Sequence, residues 1–325
     1  MDLDLKKISR PIEKELDEFK IEFRKAIKSK VALVELISKY ILRQKGKKIR
    51  PILVLLSAKL CGNINQRTYL GATLVEMLHT ATLIHDDVVD DAQTRRGLAS
   101  INAVWKNKIA VLMGDFMLSR GLLLALENDE CGFLKITSKA VKRMSEGELL
   151  QIQKNRKFDV NEETYFRIIS DKTASLITAC CELGAASTTD NKDNVKLMSE
   201  FGENIGIAFQ LRDDLLDYIG KKKIMGKSSG SDLKEKKFTL PLIHALNNST
   251  KKESKEIISV VKNGSYSKSK NIVMDFIKAH DGIEYTVEKT HEFCGIAKSK
   301  ISGFRSSETK ETLVNFVDFI SERVN

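Results

Sequence analysis

Apolar residues recur with helical spacing along most of the chain, and only short polar stretches interrupt them. The predicted helices cover residues 12–26, 31–42, 52–61, 68–91, 104–126, 134–154, 161–183 and 194–218. Amphipathic helices continue beyond residue 251, and no segment shows the two-residue alternation of a strand. The pattern therefore predicts an all-α protein.

The breaks between the predicted helices are short. Gly46 suits a helix end, and Pro51 lies where the next helix would start. Residues 93–102 are predicted to form a loop, and residues 220–237, which are rich in Lys, Gly and Ser, a basic loop. Because no repeat and no long linker divides the chain, we expect one domain over 1–325.

Composition indicates the cellular setting. The five cysteines form no C-x-x-C pair, and their number is odd, which disfavours a zinc site or a disulfide framework. The acidic N-terminus lacks an apolar signal core. No run of about 18 uncharged apolar residues occurs, so no membrane span is expected. These features predict a cytoplasmic protein.

The net charge of +10 is compatible with a nucleic acid, a membrane surface or an anionic substrate. The lysines are scattered, and aromatic residues make up only 6% of the chain. A stacking platform for single-stranded nucleic acid is therefore disfavoured, and we expect no nucleic-acid partner.

Two acidic clusters share the pattern D-D-x-x-D and lie about 127 residues apart, beginning at Asp86 and at Asp213. Each is predicted near the C-terminal end of an apolar helix, where the helix dipole disfavours anions. Asp86 and Asp90 lie on one face, and like charges at that spacing repel by roughly 0.2–0.5 kcal/mol. The pattern favours a divalent cation such as Mg²⁺, which takes carboxylate and phosphate oxygens. The candidate metal ligands are Asp86, Asp87, Asp90, Asp213, Asp214 and Asp217.

Basic residues accompany both clusters. Cations together with metal-binding carboxylates suit a substrate that carries diphosphates. A solvated basic surface is the alternative, and it is favoured for the lysines of 221–237 taken alone. His79 lies two helical turns before Asp86 and is either a core histidine or a phosphate donor. The sequence contains neither a P-loop nor a G-x-S-x-G motif. The candidate cations are Lys47, Arg50, Arg95, Arg96, Lys172, Lys227 and Lys237.

In this combination the sequence resembles the trans-prenyltransferases, the all-trans polyprenyl diphosphate synthases. The matching motifs occur in the family's order between residues 46 and 241. They are Gly46-Lys47-x-x-Arg50-Pro51, Asp86-Asp87-x-x-Asp90 with Arg95-Arg96-Gly97, Lys172-Thr173, Gln210-x-x-Asp213-Asp214-x-x-Asp217, Gly226-Lys227 and Lys237-x-Thr239.

The resemblance implies a single-domain orthogonal helical bundle around a deep central cavity, usually as a homodimer. It implies Mg²⁺-assisted condensation of an allylic diphosphate with isopentenyl diphosphate. Asp86 and Asp90 would hold the metal from one wall and Asp213 from the other. Thr173 and Gln210 would lie beside the developing cation. The allylic diphosphate would be bound by Arg95, Lys172, Lys227 and Lys237, and isopentenyl diphosphate by Lys47, Arg50, His79 and Arg96.

Two departures from the family pattern concern the basic loops. The family usually has two glycines before the first lysine, whereas Lys45 precedes Gly46 here. Lys236 and Lys237 are adjacent, so the sequence leaves open which one contacts phosphate.

Product length is expected to depend on a tunnel below Asp86. In the family, bulky aromatic residues one turn earlier stop the chain, but Ala81 and Thr82 are small here. The tunnel is expected to pass Met77 and to reach a floor near Phe116, which predicts an octaprenyl-like product made from farnesyl diphosphate. Alternatives are a short-chain synthase, a class I terpene cyclase and a non-catalytic subunit of a heteromeric synthase. Peripheral membrane contact would serve product release.

Overall fold

The computed structural model describes residues 7–44, 46–157, 161–219, 237–263 and 266–322. Helices dominate this part of the chain, which confirms the all-α prediction. They are α1 Glu13–Ala26, α2 Ala32–Arg43, α3 Ile49–Cys61, α4 Gln66–Val89, α5 Ile101–Glu127, α6 Cys131–Lys157, α7 Glu162–Ile169, α8 Ser175–Ala186, α9 Lys192–Ile219, α10 Leu240–Asn247, α11 Lys251–Asn263, α12 Tyr266–Ala279, α13 Gly282–Ile301 and α14 Glu308–Glu322. A short 3₁₀ turn, Arg10–Ile12, precedes α1.

A small hairpin lies in the segment that was predicted to be a loop. Strands β1 (Thr94–Arg95) and β2 (Leu98–Ala99) pair antiparallel. The two residues between them, Arg96 and Gly97, have φ values of 52° and 80°. Two successive positive φ values match the tight hairpin turn whose twist suits paired strands. Two-residue strands are too short to show alternation, which is why the sequence pattern missed them.

The helix predicted over 161–183 is interrupted. After α7, residues Ser170–Ala174 form a π turn, and α8 continues from Ser175. Such turns are rare and occur frequently at functional sites. This turn contains Lys172 and Thr173, two of the residues singled out from the sequence.

The chain divides into two compact units. Unit 1 comprises Met1–Val141, Ala179–Ser199 and Phe304–Leu313, and unit 2 comprises Lys142–Thr178, Glu200–Gly303 and Val314–Asn325. The expectation of a single domain over 1–325 stays a prediction.

In unit 1, α4 packs against α5, α3 and α1. A capping box starts α4, because the Asn65 side chain accepts from the backbone N–H of Arg67 and Thr68, and Asn65 N donates to Thr68 Oγ1. Gly114 of α5 lets the His85 ring lie where a Cβ would otherwise be. The close approach of α4 and α5 fixes the end of α4, where the first acidic cluster lies.

In unit 2, α10 packs against α13, α12 and α7. Leu240 and Leu242 of α10 are fully buried together with Leu211 and Ile277. Just before α10, Thr239 Oγ1 lies 2.7 Å from the hydroxyl of Tyr218. This core holds the end of α9, which carries the second acidic cluster, beside the start of α10.

By length and composition alone, α5 is apolar enough to cross a membrane, with one third of its apolar window buried. Asp115 and Arg120 interrupt that window, which is therefore not an uncharged apolar run. No other helix among the described residues meets the same criterion.

Candidate active site

The first acidic cluster lies at the C-terminal end of α4. Asp86 and Asp90 are exposed, whereas Asp87 is only 3% exposed. Arg95, on β1, donates from Nε to Asp87 Oδ1 over 2.7 Å and from Nη2 to the same oxygen. This pair orients the inner carboxylate and leaves the two flanking carboxylates at the surface.

The residues after the cluster tie down the end of α4. Asn102 Nδ2 donates to the carbonyl oxygens of Asp87 and Ala92 over 3.1 and 3.2 Å. Ser100 Oγ donates to Ala92 O over 2.5 Å and accepts from Ala103 N as the N-cap of α5. The end of α4, the hairpin and the start of α5 are therefore held together by hydrogen bonds.

Arg50, His79 and Arg96 form a basic group in unit 1. Arg96 Nη2 lies 3.4 Å from His79 Nε2, and because a guanidinium only donates, this nitrogen of His79 accepts. Desolvation, followed by the charges of Arg50 and Arg96, lowers the pKa of His79 well below its usual value, so the imidazole is neutral. The buried Nε of Arg50 has no hydrogen-bond partner among the described residues. A buried donor of this kind suits an anionic ligand.

One carboxylate, Glu76, interacts with the charges of this group. Lys47, which was predicted to bind isopentenyl diphosphate, is exposed on the loop before α3. Burial raises the pKa of Glu76 even though the positive charges of Arg50 and Arg96 lower it. Glu76 therefore offsets only part of the positive charge around it.

The second acidic cluster lies near the C-terminal end of α9, in unit 2. Asp214 is 4% exposed and accepts from the Tyr165 hydroxyl over 2.6 Å and from Gln210 Nε2 over 2.7 Å. The Asp213 carboxylate is half-buried, 3.7 Å from Arg212 Nη2, and Asp217 is also half-buried. The inner aspartate is again held by donors, while the flanking carboxylates keep some exposure.

One cavity of unit 2 brings together several of the predicted substrate-binding residues. Thr173 Oγ1 donates to Gln210 Oε1 over 2.8 Å, which extends the chain of hydrogen bonds that ends at Asp214. The cavity has a volume of about 80 Å³. Its polar lining includes Lys172, Thr173, Gln210, Asp214 and Lys237.

Lys172 is held by two side chains of α6. It donates to Gln151 Oε1 over 2.7 Å and forms an ion pair with Glu148. The π turn therefore presents Lys172 toward α6 and Thr173 toward α9, so that two consecutive residues bind different helices.

An ionic network that the sequence did not indicate supports this turn. Arg143 Nε donates to Asp171 Oδ1 over 2.7 Å, and its terminal nitrogens donate to both carboxylate oxygens of Glu203 over 3.1 and 2.9 Å. Arg143 also donates to Ser170 Oγ over 2.6 Å. Despite desolvation, these bonds raise the pKa of Arg143 and lower that of Glu203. The network clamps the first residues of the π turn between α6 and α9.

Two glycines, on α6 and α9, allow these helices to approach the π turn closely. A Cβ on Gly147 would lie 2.8 Å from Lys172 N, and one on Gly206 would lie 2.6 Å from Ala174 Cα. A glycine inside a helix costs about 1 kcal/mol relative to alanine, so its presence signals close packing. This is the one sequence signal that could have indicated the turn.

The residues expected to set product length lie on α4 and α5. Ala81 and Met77 are fully buried, whereas Thr82 and Phe116 are half-buried. Thr82 Oγ1 donates to the His79 carbonyl over 2.9 Å. Their role in chain length stays a prediction.

Some predictions fall outside the described residues. Lys227, Gly226, Lys45 and Lys236 belong to this group. Lys237 is described and lines the cavity of unit 2.

The carboxylates fit a hard divalent cation that is shared with a substrate. No three Asp, Glu, His or Cys side chains of the described residues gather into a complete metal site. Mg²⁺ commonly binds one or two carboxylates and completes its shell with phosphate oxygens and water. Asp86 and Asp90, one turn apart and exposed, offer this partial donor set.

Comparison with known proteins decides the family, because the Polyprenyl synthetase family model matches residues 31–277. The chain belongs to the polyprenyl synthetase family. It is 35% identical over 310 residues to the geranyl-diphosphate-specific all-trans-nonaprenyl-diphosphate synthase of Rhodobacter capsulatus, covering 95% of this chain and 94% of the relative. It is 32% identical over 321 residues to the octaprenyl diphosphate synthase of Escherichia coli, covering 99% of each.

The chain also resembles a relative named for a shorter product and, separately, a protein of known crystal structure. The geranylgeranyl diphosphate synthase of Saccharolobus solfataricus is 33% identical over 279 residues, covering 83% of this chain and 84% of the relative. The crystal structure of the polyprenyl synthase of Caulobacter crescentus, complexed with calcium and isoprenyl diphosphate, shares the fold with a TM-score of 0.89, 30% identity and 98% coverage of both chains.

These comparisons confirm that this polyprenyl synthetase is a trans-prenyltransferase of isoprenoid biosynthesis with the predicted all-α fold. Its substrates are an allylic diphosphate and isopentenyl diphosphate. Relatives of long and short product length match at similar identity.

Proposed function

We propose that this enzyme condenses farnesyl diphosphate repeatedly with isopentenyl diphosphate to make an all-trans polyprenyl diphosphate of octaprenyl-like length. The proposed product length rests on the small residues that precede the first acidic cluster. Ala81 and Thr82 leave no aromatic ring one turn before Asp86.

The cavity of unit 2 is proposed to bind the allylic diphosphate. Lys172 and Lys237 would neutralise charge as the allylic C–O bond breaks and electrons move to the leaving diphosphate. Divalent cations, which we propose to be Mg²⁺, would be held by Asp86 and Asp90 of the first cluster and by Asp213 of the second, with Asp87, Asp214 and Asp217 in support, and would supply further charge neutralisation. Thr173 Oγ1 and Gln210 Oε1 would direct their oxygen dipoles toward the allylic cation.

Arg50, His79 and Arg96, with Lys47 at the surface, are proposed to bind isopentenyl diphosphate. The buried Nε of Arg50 supports this assignment, since a phosphate oxygen would satisfy it. Neutral His79 keeps a proton on Nδ1 when Nε2 accepts from Arg96. The double bond of isopentenyl diphosphate then attacks the cation, and the released diphosphate accepts the proton lost from the new chain.

The test is incubation of the purified protein with farnesyl diphosphate, excess isopentenyl diphosphate and Mg²⁺, followed by mass analysis of the products. Products centred on eight isoprene units would support the proposal, and products that stop at three or four units would favour a short-chain synthase. Ala81→Phe should shorten the product. Gln66→Phe is the control, because Gln66 is exposed at the start of α4, and equal shortening by both variants would contradict the tunnel assignment.

A homodimer is part of the same proposal. The α5 surface exposes Leu112, Leu123 and Leu126, and α2, which packs against α5, exposes Leu33 and Leu36. Monomeric proteins rarely leave large contiguous apolar patches uncovered. Light scattering should give the mass of a dimer, and Leu112→Lys should shift it toward the monomer.

Two further assignments concern location. All five cysteines are free thiols, which suits the reducing cytoplasm that we propose.

Peripheral contact with an anionic membrane would help release an apolar product, and the net charge of +10 favours this contact. Sedimentation with anionic but not neutral liposomes would support this contact.

A further inference from the structure

A cavity of unit 1 lies beside the Arg50, His79 and Arg96 group and is lined by residues of α1, α2 and α4, with a volume of about 80 Å³. This volume equals that of several water molecules and suits a small polar head group. Its apolar wall includes Phe19 and Phe23 of α1 and Leu83 of α4.

The cavity has an excess of positive charge. It is lined by five cations, Lys20, Arg24, Lys48, Arg95 and Arg96, against two carboxylates, Glu76 and Asp87. The Arg95–Asp87 pair neutralises itself. Lys20 forms an ion pair over 2.6 Å with the exposed Asp17, which is not part of the cavity wall. Glu76 therefore remains as the lining carboxylate that shares the cavity wall with Arg24, Lys48 and Arg96.

Lys48 is held in an unfavourable setting. Its backbone adopts a left-handed conformation (φ 49°, ψ 34°), which is strained for lysine. Desolvation, followed by the like charges of Lys20 and Arg24, lowers its pKa, and Glu76 offsets this only partly. Like charges crowded beside a cavity indicate a functional site in the same way as the two acidic clusters do.

Most residues proposed to bind isopentenyl diphosphate do not line this cavity. Arg50, His79 and Lys47 are absent from its wall, and Arg96 is the shared side chain. Lys20 and Arg24 belong to α1, a helix that contributes nothing to the motifs of the proposed substrate sites.

We infer that Lys20, Arg24 and Lys48 form a second diphosphate site, which binds the diphosphate of a ligand with a short apolar tail against Phe19 and Phe23. Two ligands of this enzyme carry that head group. Inorganic diphosphate is released in every condensation, and isopentenyl diphosphate adds a five-carbon tail. The apolar wall favours the second.

Calorimetric titration of the full chain with isopentenyl diphosphate, without divalent metal, tests the inference. The wild type should bind two molecules per chain. Lys20→Gln/Arg24→Gln should retain one site and weaken the other at least about tenfold, since charged hydrogen bonds are lost. Lys14→Gln/Lys25→Gln is the matched control, because both lysines lie on α1 outside the cavity wall, and it should still bind two.

Unchanged binding by the Lys20/Arg24 variant, or an equal loss in the control, would overturn the inference. A parallel titration with inorganic diphosphate separates the ligands: weaker second-site binding than for isopentenyl diphosphate supports the tail contact, and tighter binding contradicts it. Turnover at low substrate concentration should persist in both variants. A wild-type protein without prenyltransfer would refute the proposed function and leave the binding result standing.

Discussion

The two acidic clusters share one sequence pattern but are built differently. In each, the middle aspartate is buried, 3% exposed for Asp87 and 4% for Asp214. Asp87 is held by a guanidinium, through Arg95. Among the described residues, Asp214 accepts from the neutral Tyr165 hydroxyl and Gln210 amide.

The aspartates of each motif therefore have two roles, which are to anchor the helix end and to bind a ligand. A carboxylate that accepts short hydrogen bonds in a buried position fixes the helix end, while its exposed neighbours can still bind a ligand. Near Asp87 the anchor comes from the hairpin that follows the helix. Near Asp214 it comes from Gln210, which also accepts from Thr173. The second cluster is thereby coupled to the π turn, and the first to β1.

The largest expected effect tests the flanking aspartates. Asp86→Asn and Asp213→Asn should each lower kcat by at least about 10³-fold, because charge on the leaving diphosphate loses its stabilisation. Steady-state assays at saturating Mg²⁺ measure this. Asp91→Asn is the control, since Asp91 is exposed, lies next to the first cluster and is outside the motif. Near-wild-type turnover in Asp86→Asn would show that the first cluster holds no catalytic metal.

The next effect concerns the ionic network under the π turn. Arg143→Met should lower kcat/KM for the allylic diphosphate by about 10–100-fold, as expected when a supporting shell around a site is lost. It should lower the free energy of unfolding by about 2–3 kcal/mol, because charged hydrogen bonds are removed. The KM for isopentenyl diphosphate should stay within about twofold, since a supporting residue acts on the site that it holds.

Arg143→Lys serves as the matched variant. It keeps the charge but not the planar fork that bridges Asp171 and Glu203, so activity should recover only in part. If Arg143→Met weakened the binding of both substrates equally, the effect of the network would not be specific to Lys172 and Thr173.

Much of this site follows from the sequence because its chemistry is local. The helix ends, the two acidic clusters and the Lys172-Thr173 and Gln210 motifs are visible in short stretches, and the structure brings Lys172, Thr173 and Gln210 into one cavity with Lys237. The anchors are not local. Arg143 and Glu203 are 60 residues apart, and Tyr165 and Asp214 are 49 apart, so only packing pairs them. The Arg95–Asp87 pair depends on a hairpin whose strands are too short to produce a pattern.

A smaller effect is expected from removing the donors that hold the two buried aspartates, Asp87 and Asp214. Arg95→Gln leaves the buried Asp87 without its charged partner and should lower the free energy of unfolding by about 1.5–3 kcal/mol. Tyr165→Phe removes one neutral donor while Gln210 remains, and should cost about 0.5–1.5 kcal/mol. Urea denaturation of both variants gives the comparison. Equal losses would mean that the charge of the anchor has no effect on how firmly the aspartate is held.

The smallest expected effect is a difference in pH dependence between Glu203 of unit 2 and Glu76 of unit 1. Hydrogen bonds from Arg143 and Ser170 lower the pKa of Glu203 despite its burial, so its stabilisation is present above about pH 4.5 and is lost as the pH falls through the lowered pKa. Burial raises the pKa of Glu76, so the folded protein binds more protons there, and stability falls as the pH rises from about 4.5 through the raised value. Glu203→Gln should therefore destabilise the protein at pH 7 and flatten its loss of stability in acid. Glu76→Gln should stabilise it at pH 7. Urea unfolding between pH 4 and 7 measures both effects. If the Glu76→Gln protein were less stable than the wild type at pH 7, the attraction between the Glu76 carboxylate and Arg50 and Arg96 would exceed the cost of burying that carboxylate.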